Sequence, residues 1–243
     1  MSAMKVEVWS DYVCPFCYIG KRRFEAGLQQ FPHNESVEVI YKSFELDPNA
    51  RRDGNPDVHD MLAAKYGMSR EEAVANTDRI TQQARELGLE YHFDRTIQTN
   101  TFDAHRLAHF ARLQGKLAEM TERLLKAHFT DTLHIGKHEI LADLAAEIGI
   151  DRAEALRVLT DGDYASDVRA DEQEASKLGV RGVPFFVINR KYAISGAQPS
   201  DVFLEALEKA WDENNRLTVL GESDQSTACT DDGCGVPEQG ERA

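Results

Sequence analysis

Residues 6–25 read VEVWSDYVCPFCYIGKRRFE, and this stretch decides the fold. It predicts a short β-strand containing Val6 and Val8, then a turn, and then a helix that starts at the cysteine pair. Pro15 suits the first turn of that helix, because the N–H that proline lacks would be unpaired there. The order of strand, turn and helix therefore places Cys14 at the N-terminal end of a helix.

The position of Cys14 predicts a reactive thiolate. Unpaired amide N–H groups and the positive end of the helix macrodipole stabilise a negative charge at this place. Free cysteine thiols have pKa values near 8.5, whereas cysteines in C-x-x-C pairs at helix N-termini reach about 3.5–7. Cys17 follows one helical turn later on the same face, within reach for a disulfide. We therefore predict a redox pair in which Cys14 attacks and Cys17 resolves.

Composition excludes several classes of function. The chain has 243 residues, 42% of them hydrophobic, and a formal net charge of −14. This acidity argues against nucleic acid or an anionic membrane as the main partner. No segment approaches the ~18 consecutive apolar residues of a membrane span, and residues 1–4 lack the features of a signal peptide. We expect a cytoplasmic protein, in which a C-x-x-C pair is more often catalytic or metal-binding than a structural bridge.

Zinc binding is the alternative for the cysteine pair, because C-x2-C is also a zinc-ligand spacing. A zinc site needs further ligands, and its cysteine pairs usually lie on turns. The His105/His109 and His134/His138 pairs have a spacing that suits metal ligands, but no acidic motif accompanies them. We expect these histidines to lie in the core or at the surface, and we predict no metal site.

The rest of the chain predicts an α/β domain with a helical insertion. Residues 37–44 resemble a second strand that would pair in parallel with the first through a βαβ unit. Residues 56–178 are helical almost throughout, including a capping box at Ser69, a helix capped by Thr101 and a helix over 117–132. A hairpin around 189–191 and a final helix from Ser200 follow. The predicted boundaries are 1–50, 51–178 for the insertion, 179–215 and 216–243 for an acidic, flexible tail.

Three motifs resemble the DsbA family in its FrnE-like branch. They are SDYVCPFCYIGKR at 10–22, NTFDAHR at 100–106 and GVRGVPFF at 179–186. The resemblance implies a thioredoxin fold with a large all-helical domain inserted between its βαβ and ββα halves. It also implies a thiol–disulfide oxidoreductase or disulfide isomerase acting on protein or peptide thiols and disulfides. No cofactor is expected to bind tightly, and glutathione or another thiol reductant is the expected redox partner.

The third motif resembles the cis-proline loop of the thioredoxin superfamily. The resemblance implies a cis bond between Val183 and Pro184, with Pro184 against the cysteine pair. The main chain of Val183 would then bind an extended substrate segment, next to Pro15 and Phe16. The alternative is an ordinary trans proline at a strand edge.

A sister branch of the family suggests the main alternative function. It resembles 2-hydroxychromene-2-carboxylate isomerase, which binds glutathione and carries serine where this chain has Cys14. A glutathione-dependent isomerase or transferase acting on small molecules is therefore the second hypothesis. A non-catalytic holdase that uses the apolar surface around Phe16 and Phe185 is the third. Oligomeric state cannot be inferred from the sequence.

Two further features have open interpretations. Asp11 either modulates proton transfer or shapes the turn before the helix. Residues 100–106 either contact a peptide or glutathione, or form a capped helix with His105 in the interior.

The C-terminal residues 221–243 contain six acids, one base and a second pair, Cys229 and Cys234. This composition is typical of disorder. The pair is either a tethered relay that exchanges with Cys14 and Cys17, a passive local bridge, or half of a four-cysteine metal site. All three interpretations stay open at this point.

Overall fold

The computed structural model of the chain describes residues 4–52, 57–215, 229–230 and 233–234. Its main sheet has the strand order β2-β1-β3-β4. The strands are β1 (Met4–Ser10), β2 (Val37–Ser43), β3 (Phe185–Ile188) and β4 (Tyr192–Ser195). β1 and β2 are parallel, as the βαβ pattern predicts, and β3 is antiparallel to both β1 and β4.

Helices flank this sheet and fill the interval between β2 and β3. α1 (Pro15–Gln30) connects β1 to β2 and packs against the last helix, α9 (Ser200–Asn215). The intervening helices are α2 (Val58–Tyr66), α3 (Arg70–Glu86), α4 (Phe102–Leu113), α5 (Leu117–Phe129), α6 (His138–Glu147), α7 (Arg152–Asp161) and α8 (Ala165–Lys177). The predicted thioredoxin fold, with helices inserted between a βαβ half and a ββα half, is confirmed.

The pleat of β1 divides the core between the two faces of the sheet. Met4, Val6 and Val8 pack in one cluster with aromatic residues of α1 and α9. Trp9 lies on the opposite face beside α8, where its Nε1–H donates to the carbonyl oxygen of Asp171 at 3.0 Å. Burial of each large apolar side chain stabilises the fold by about 1.5–3 kcal/mol. β1 is therefore fixed from both sides, and the turn that follows it is held in place.

Some helix ends differ from the sequence predictions. The capping box at Ser69 is present, with Glu72 as its partner. Thr101 precedes α4 but its side chain makes no capping hydrogen bond, because Asn100 Oδ1 accepts from the Phe102 N–H instead. α5 ends at Phe129, three residues before the predicted end, and the positive φ of 54° at Thr132 shows that the chain has left the helical conformation there. In the described part of the chain, no helix is long and apolar enough to cross a membrane.

Candidate active site

Cys14 is the N-cap residue of α1, and Pro15 occupies the first turn as predicted. The Cys14 N–H donates to the carbonyl oxygen of Asp11 at 3.2 Å, which closes the turn between β1 and α1. Cys14 is 4% exposed, and its Sγ lies 3.5 Å from the carbonyl oxygen of Val183. The sulfur is thus held between the start of a helix and the loop before β3.

Cys17 lies one turn further along α1 and is also buried. Both cysteines are free thiols. The Cys17 Sγ accepts a hydrogen bond from the Asp11 N–H at 3.4 Å. Burial raises the pKa of the Cys17 thiol well above its usual value, and the neighbouring Cys14 raises it further. The raised pKa favours the protonated form of Cys17 at neutral pH.

The loop that contains Val183 and Pro184 lies against α1. The peptide bond between them is cis, as predicted from the resemblance. A Cβ built on Gly20 of α1 would lie only 2.8 Å from the Cγ of Pro184. The absence of a side chain at Gly20 thus lets the proline ring pack directly on the helix that carries both cysteines.

An open cleft begins beside the cysteine pair. It has a volume of about 290 Å³ and extends from the turn at Val13 and Pro15 towards α2. Large apolar side chains stay exposed here, with Leu46 at 41% and Tyr66 at 62%, and Phe16 next to Pro15 is 40% exposed. We call this the Pro15 cleft, and its lining is Asp11, Val13, Pro15, Leu46, Asp47, Ala50, Arg51, Met61, Leu62, Lys65, Tyr66, Gln98, Thr99 and Thr101.

Residues 100–106 are largely structural. The Arg106 guanidinium donates to the carbonyl oxygens of Val158 and Leu159 at the end of α7, and to Asp103 Oδ1 at 2.7 Å. Asn100 Nδ2 donates to Glu45 Oε1 at 3.2 Å, which ties α4 to the connection after β2. His105 is the exception, because its ring lies beside Asp11 in the turn before the cysteines. The interior placement expected for His105 is therefore correct.

The remaining histidines of the two spaced pairs are not arranged as metal ligands. His109 Nε2 lies 3.1 Å from Asp171 Oδ2, and His138 Nε2 lies 2.8 Å from Asp103 Oδ2. Among the described residues, no group of three or more His, Cys, Asp or Glu side chains is placed to hold a metal ion.

A cluster of charges on α1 was not anticipated from the sequence. The Tyr18 hydroxyl donates to Glu122 Oε1 at 2.5 Å, and Lys21 and Arg22 donate to the same carboxylate. Burial alone would raise the pKa of Glu122, but the hydrogen bonds from Arg22, Lys21 and Tyr18 lower it to about 2. The i, i+3, i+4 spacing of the three donors was a signal that they share one helix face, but their partner on α5 could not be identified.

Tyr91 is a second contact that sequence reasoning missed. Its hydroxyl donates to the carbonyl oxygen of Pro15 at 2.8 Å, and its ring packs against Tyr18 and Phe129. Tyr91 therefore anchors the first turn of α1 to the helical insertion.

The second cysteine pair lies on two short antiparallel strands, β5 (Cys229–Thr230) and β6 (Gly233–Cys234). Cys229 and Cys234 are directly opposite in the Cα register. The predicted acidic, flexible tail otherwise lies outside the described residues, as do the side chains of this pair.

Among the predicted site residues, the structure brings together Cys14, Cys17, Val183 and Pro184, with Pro15 and Phe16 at the edge of the same site.

Comparison with known proteins agrees with this geometry. Residues 5–208 match the family model described as a DSBA-like thioredoxin domain. The crystal structure of a probable DsbA oxidoreductase from Streptomyces coelicolor is 45% identical, with a TM-score of 0.85, and the match covers 97% of this chain and 100% of that one. The uncharacterized protein YwbO of Bacillus subtilis (strain 168) is 32% identical over 204 residues, which are 83% of this chain and 94% of YwbO. A 2-hydroxychromene-2-carboxylate isomerase shares the fold with a TM-score of 0.63 at 13% identity, covering 86% of this chain and 97% of its own.

Proposed function

The chain belongs to the family of DSBA-like thioredoxin domains, and from this premise we propose that it exchanges disulfides with protein or peptide substrates through Cys14 and Cys17. One observation carries the proposal. The sulfur of Cys14 lies at the N-terminus of α1 and 3.5 Å from the Val183 carbonyl oxygen, beside the cis bond to Pro184. A helix N-terminus stabilises a thiolate, which is the nucleophile in disulfide exchange.

The exchange proceeds in two steps. The Cys14 thiolate attacks one sulfur of a substrate disulfide, a mixed disulfide forms, and the other substrate sulfur leaves as a thiolate. Cys17 then loses its proton and attacks the Cys14 sulfur, which releases the second substrate thiol. The substrate gains two electrons and the cysteine pair loses them. In the reverse direction, the oxidised pair donates its disulfide to a substrate dithiol.

A polypeptide is the substrate that the surroundings favour. Pro15, Phe16 and Val183 are the proposed substrate contacts, with Pro184 shaping the loop. The Pro15 cleft and the exposed Phe16 offer apolar surface next to the sulfurs, as an unfolded segment with apolar side chains requires. We expect glutathione or a similar thiol to reduce the oxidised cysteine pair again. We also expect that no cofactor binds tightly and that the protein acts in the cytoplasm.

The C-terminal cysteines are proposed as an auxiliary relay, and chain length supports this. Trp211 of α9 stacks on His33, beyond the C-terminal end of α1, whereas Cys14 lies at its other end. α1 is about 24 Å long. A chain of the 14 residues from Asn215 to Cys229 can span at most roughly 46–50 Å, which exceeds the length of α1. A link of this length therefore permits Cys229 to reach Cys14.

The test compares insulin reduction and refolding of a scrambled disulfide substrate by wild type, Cys14→Ser and Cys17→Ser. We expect Cys14→Ser to be inactive, and Cys17→Ser to accumulate mixed disulfides and lose reduction. Saturable glutathione binding with activity that survives Cys17→Ser would instead support the small-molecule isomerase or transferase. Aggregation suppression that survives Cys14→Ser, without exchange activity, would support a holdase.

The double variant Cys229→Ser/Cys234→Ser tests the relay separately. A relay predicts slower multiple turnover with unchanged alkylation of Cys14. Unchanged turnover in both assays would refute the relay and leave the passive bridge and the metal site.

A further inference from the structure

Tyr91 is a buried side chain beside the cysteine pair to which the proposed exchange gives no role. It is 5% exposed, and its hydroxyl donates to the carbonyl oxygen of Pro15 at 2.8 Å. Burial raises the pKa of the Tyr91 hydroxyl, and the charge that Cys14 carries as a thiolate raises it further. The hydroxyl therefore keeps its proton near neutral pH and remains a hydrogen-bond donor close to Cys14.

The helical insertion fixes the direction of this hydroxyl. Tyr91 lies in the connection 87–101 between α3 and α4, which contains neither helix nor strand. The next residue, His92, donates its main-chain N–H to the carbonyl oxygen of Phe129 at 2.9 Å. The Tyr91 ring also stacks on the Phe129 ring, with the ring centroids 4.5 Å apart. The end of α5 thus holds both the main chain and the ring of Tyr91, and it aims the hydroxyl at Pro15.

The acceptor of this hydrogen bond belongs to a peptide unit that begins α1. The carbonyl group of Pro15 and the N–H of Phe16 form one planar trans unit and point in opposite directions. Cys14 is the N-cap residue, and an N-cap side chain accepts from the N–H of the second or third helical residue. The third of these, Cys17, already donates its N–H to the carbonyl oxygen of Cys14 at 3.0 Å. The Phe16 N–H is therefore the donor left for a Cys14 thiolate.

We infer that Tyr91 is a positioning residue that strengthens the hydrogen bond from the Phe16 N–H to the Cys14 thiolate, an inference that rests on the proposed exchange chemistry. The hydroxyl draws electron density towards the Pro15 oxygen, so the N–H at the other end of the same peptide unit becomes a stronger donor. Such polarisation along a chain of hydrogen bonds strengthens each bond by roughly 10–30%. The effect is largest when Cys14 is ionised, because hydrogen bonds to ions are about twice as strong as those between neutral groups.

This role makes the oxidised cysteine pair a stronger oxidant. A stabilised Cys14 thiolate stabilises the reduced enzyme, and the disulfide then takes up two electrons more readily. The oxidising strength of the pair thus depends on the contact between α1 and the insertion.

The redox equilibrium with glutathione tests the inference. Two glutathione molecules reduce the disulfide between Cys14 and Cys17 and leave as glutathione disulfide, so the equilibrium constant measures the stability of the reduced pair. Differential alkylation and mass spectrometry follow the peptide that carries these two cysteines, which keeps the second cysteine pair out of the measurement. Tyr91→Phe keeps the buried ring and removes the hydroxyl. We expect it to lower the constant by about two- to fivefold, and a constant equal to that of wild type would overturn the inference.

Tyr18→Phe is the matched control. The Tyr18 ring stacks on the Tyr91 ring with the centroids 6.2 Å apart, but its hydroxyl donates to Glu122 Oε1 at 2.5 Å rather than to the main chain of α1. This variant removes a hydroxyl from the same stack of rings, and it should leave the equilibrium constant within about 1.5-fold of wild type. An equal fall in both variants would overturn the inference, because the loss of any hydroxyl beside α1 would then explain the effect.

Urea unfolding separates this role from a structural one. A purely structural hydrogen bond stabilises the oxidised and the reduced protein alike, so its loss leaves the equilibrium constant unchanged. The inferred role predicts that Tyr91→Phe lowers the free energy of unfolding of the reduced protein more than that of the oxidised protein. Equal losses in the two redox states would count against it.

Two outcomes outside this comparison are also informative. If Tyr91→Phe does not fold, Phe129→Leu decides the question, because it keeps the hydroxyl but removes the ring that holds it in place. It should lower the constant in the same direction, and an unchanged constant would overturn the inference. A wild-type protein that forms no disulfide between Cys14 and Cys17 in glutathione buffers would instead contradict the proposed function itself.

Discussion

Replacement of Gly20 by alanine should separate the geometry of the exchange site from the stability of the fold. The new Cβ would lie 2.8 Å from Pro184 Cγ, whereas carbon atoms pack best at about 3.5–4.0 Å. The proline ring is rigid, so its loop must move by roughly 1 Å. Alanine otherwise gains about 0.5–1 kcal/mol over glycine inside a helix, and overpacking costs about 1–3 kcal/mol. The net loss of unfolding free energy should therefore lie between about zero and 2.5 kcal/mol.

The same movement should impair exchange. The Val183 carbonyl oxygen contacts Cys14 Sγ, and it would shift together with Pro184. Because errors of about 1 Å in a reactive geometry cost up to about 100-fold in rate, we expect kcat/KM for insulin reduction to fall by at least about tenfold. Urea unfolding and an insulin assay well below the unfolding transition measure the two effects independently.

Gly27→Ala provides the control on the same helix. Its Cβ would lie 2.6 Å from the Ser200 carbonyl oxygen and 3.0 Å from Phe203 Cβ, so it forces α9 away from α1 without reaching the site. It should be less stable than wild type but keep its activity per folded molecule. The reasoning fails if Gly20→Ala reduces insulin at the wild-type rate, or if Gly27→Ala loses as much activity.

Three further predictions concern titration and reactivity. The pKa of His128 is lowered by burial from 6.5 to about 4, so its contribution to stability is complete above pH 6.5 and is lost as the pH falls towards 4. Between pH 7 and pH 5 this titration should cost wild type about 2 kcal/mol of unfolding free energy, and urea unfolding of His128→Leu should lack this part of the loss. His92→Gln changes a partly exposed ring and should keep the wild-type loss. The lowered pKa of Glu122 gives a contribution to the free energy of unfolding that is complete above pH 4.5 and is lost as the pH falls towards 2. Glu122→Gln should cost about 1–2 kcal/mol at pH 7, allowing for partial exposure, and thermal unfolding should show this difference vanish near pH 2. Iodoacetamide should label Cys14 well before Cys17, whose pKa is raised, and equal labelling by peptide mass spectrometry would contradict the assigned roles.

The sequence allowed the βαβ unit, the start of α1 and the hairpin to be predicted because their signals are local. A proline after Cys14 and two apolar runs around 189–191 act through their immediate neighbours in the chain. The contacts of His105 with Asp11, and of Tyr91 with the Pro15 carbonyl oxygen, join residues far apart in sequence. Such contacts depend on how the inserted helices pack, and no periodicity in the sequence encodes that packing.

The small exposed fraction of Cys14 has a consequence for what the protein can accept. Cys14 is 4% exposed and its sulfur faces a main-chain carbonyl oxygen, which leaves room only for a narrow approach. An extended backbone with its own disulfide at the surface is slender enough to enter. A disulfide embedded between two packed sheets is too bulky to enter. For the proposed polypeptide substrates, the folding state around a disulfide, rather than the surrounding sequence, would then decide which disulfides can reach Cys14.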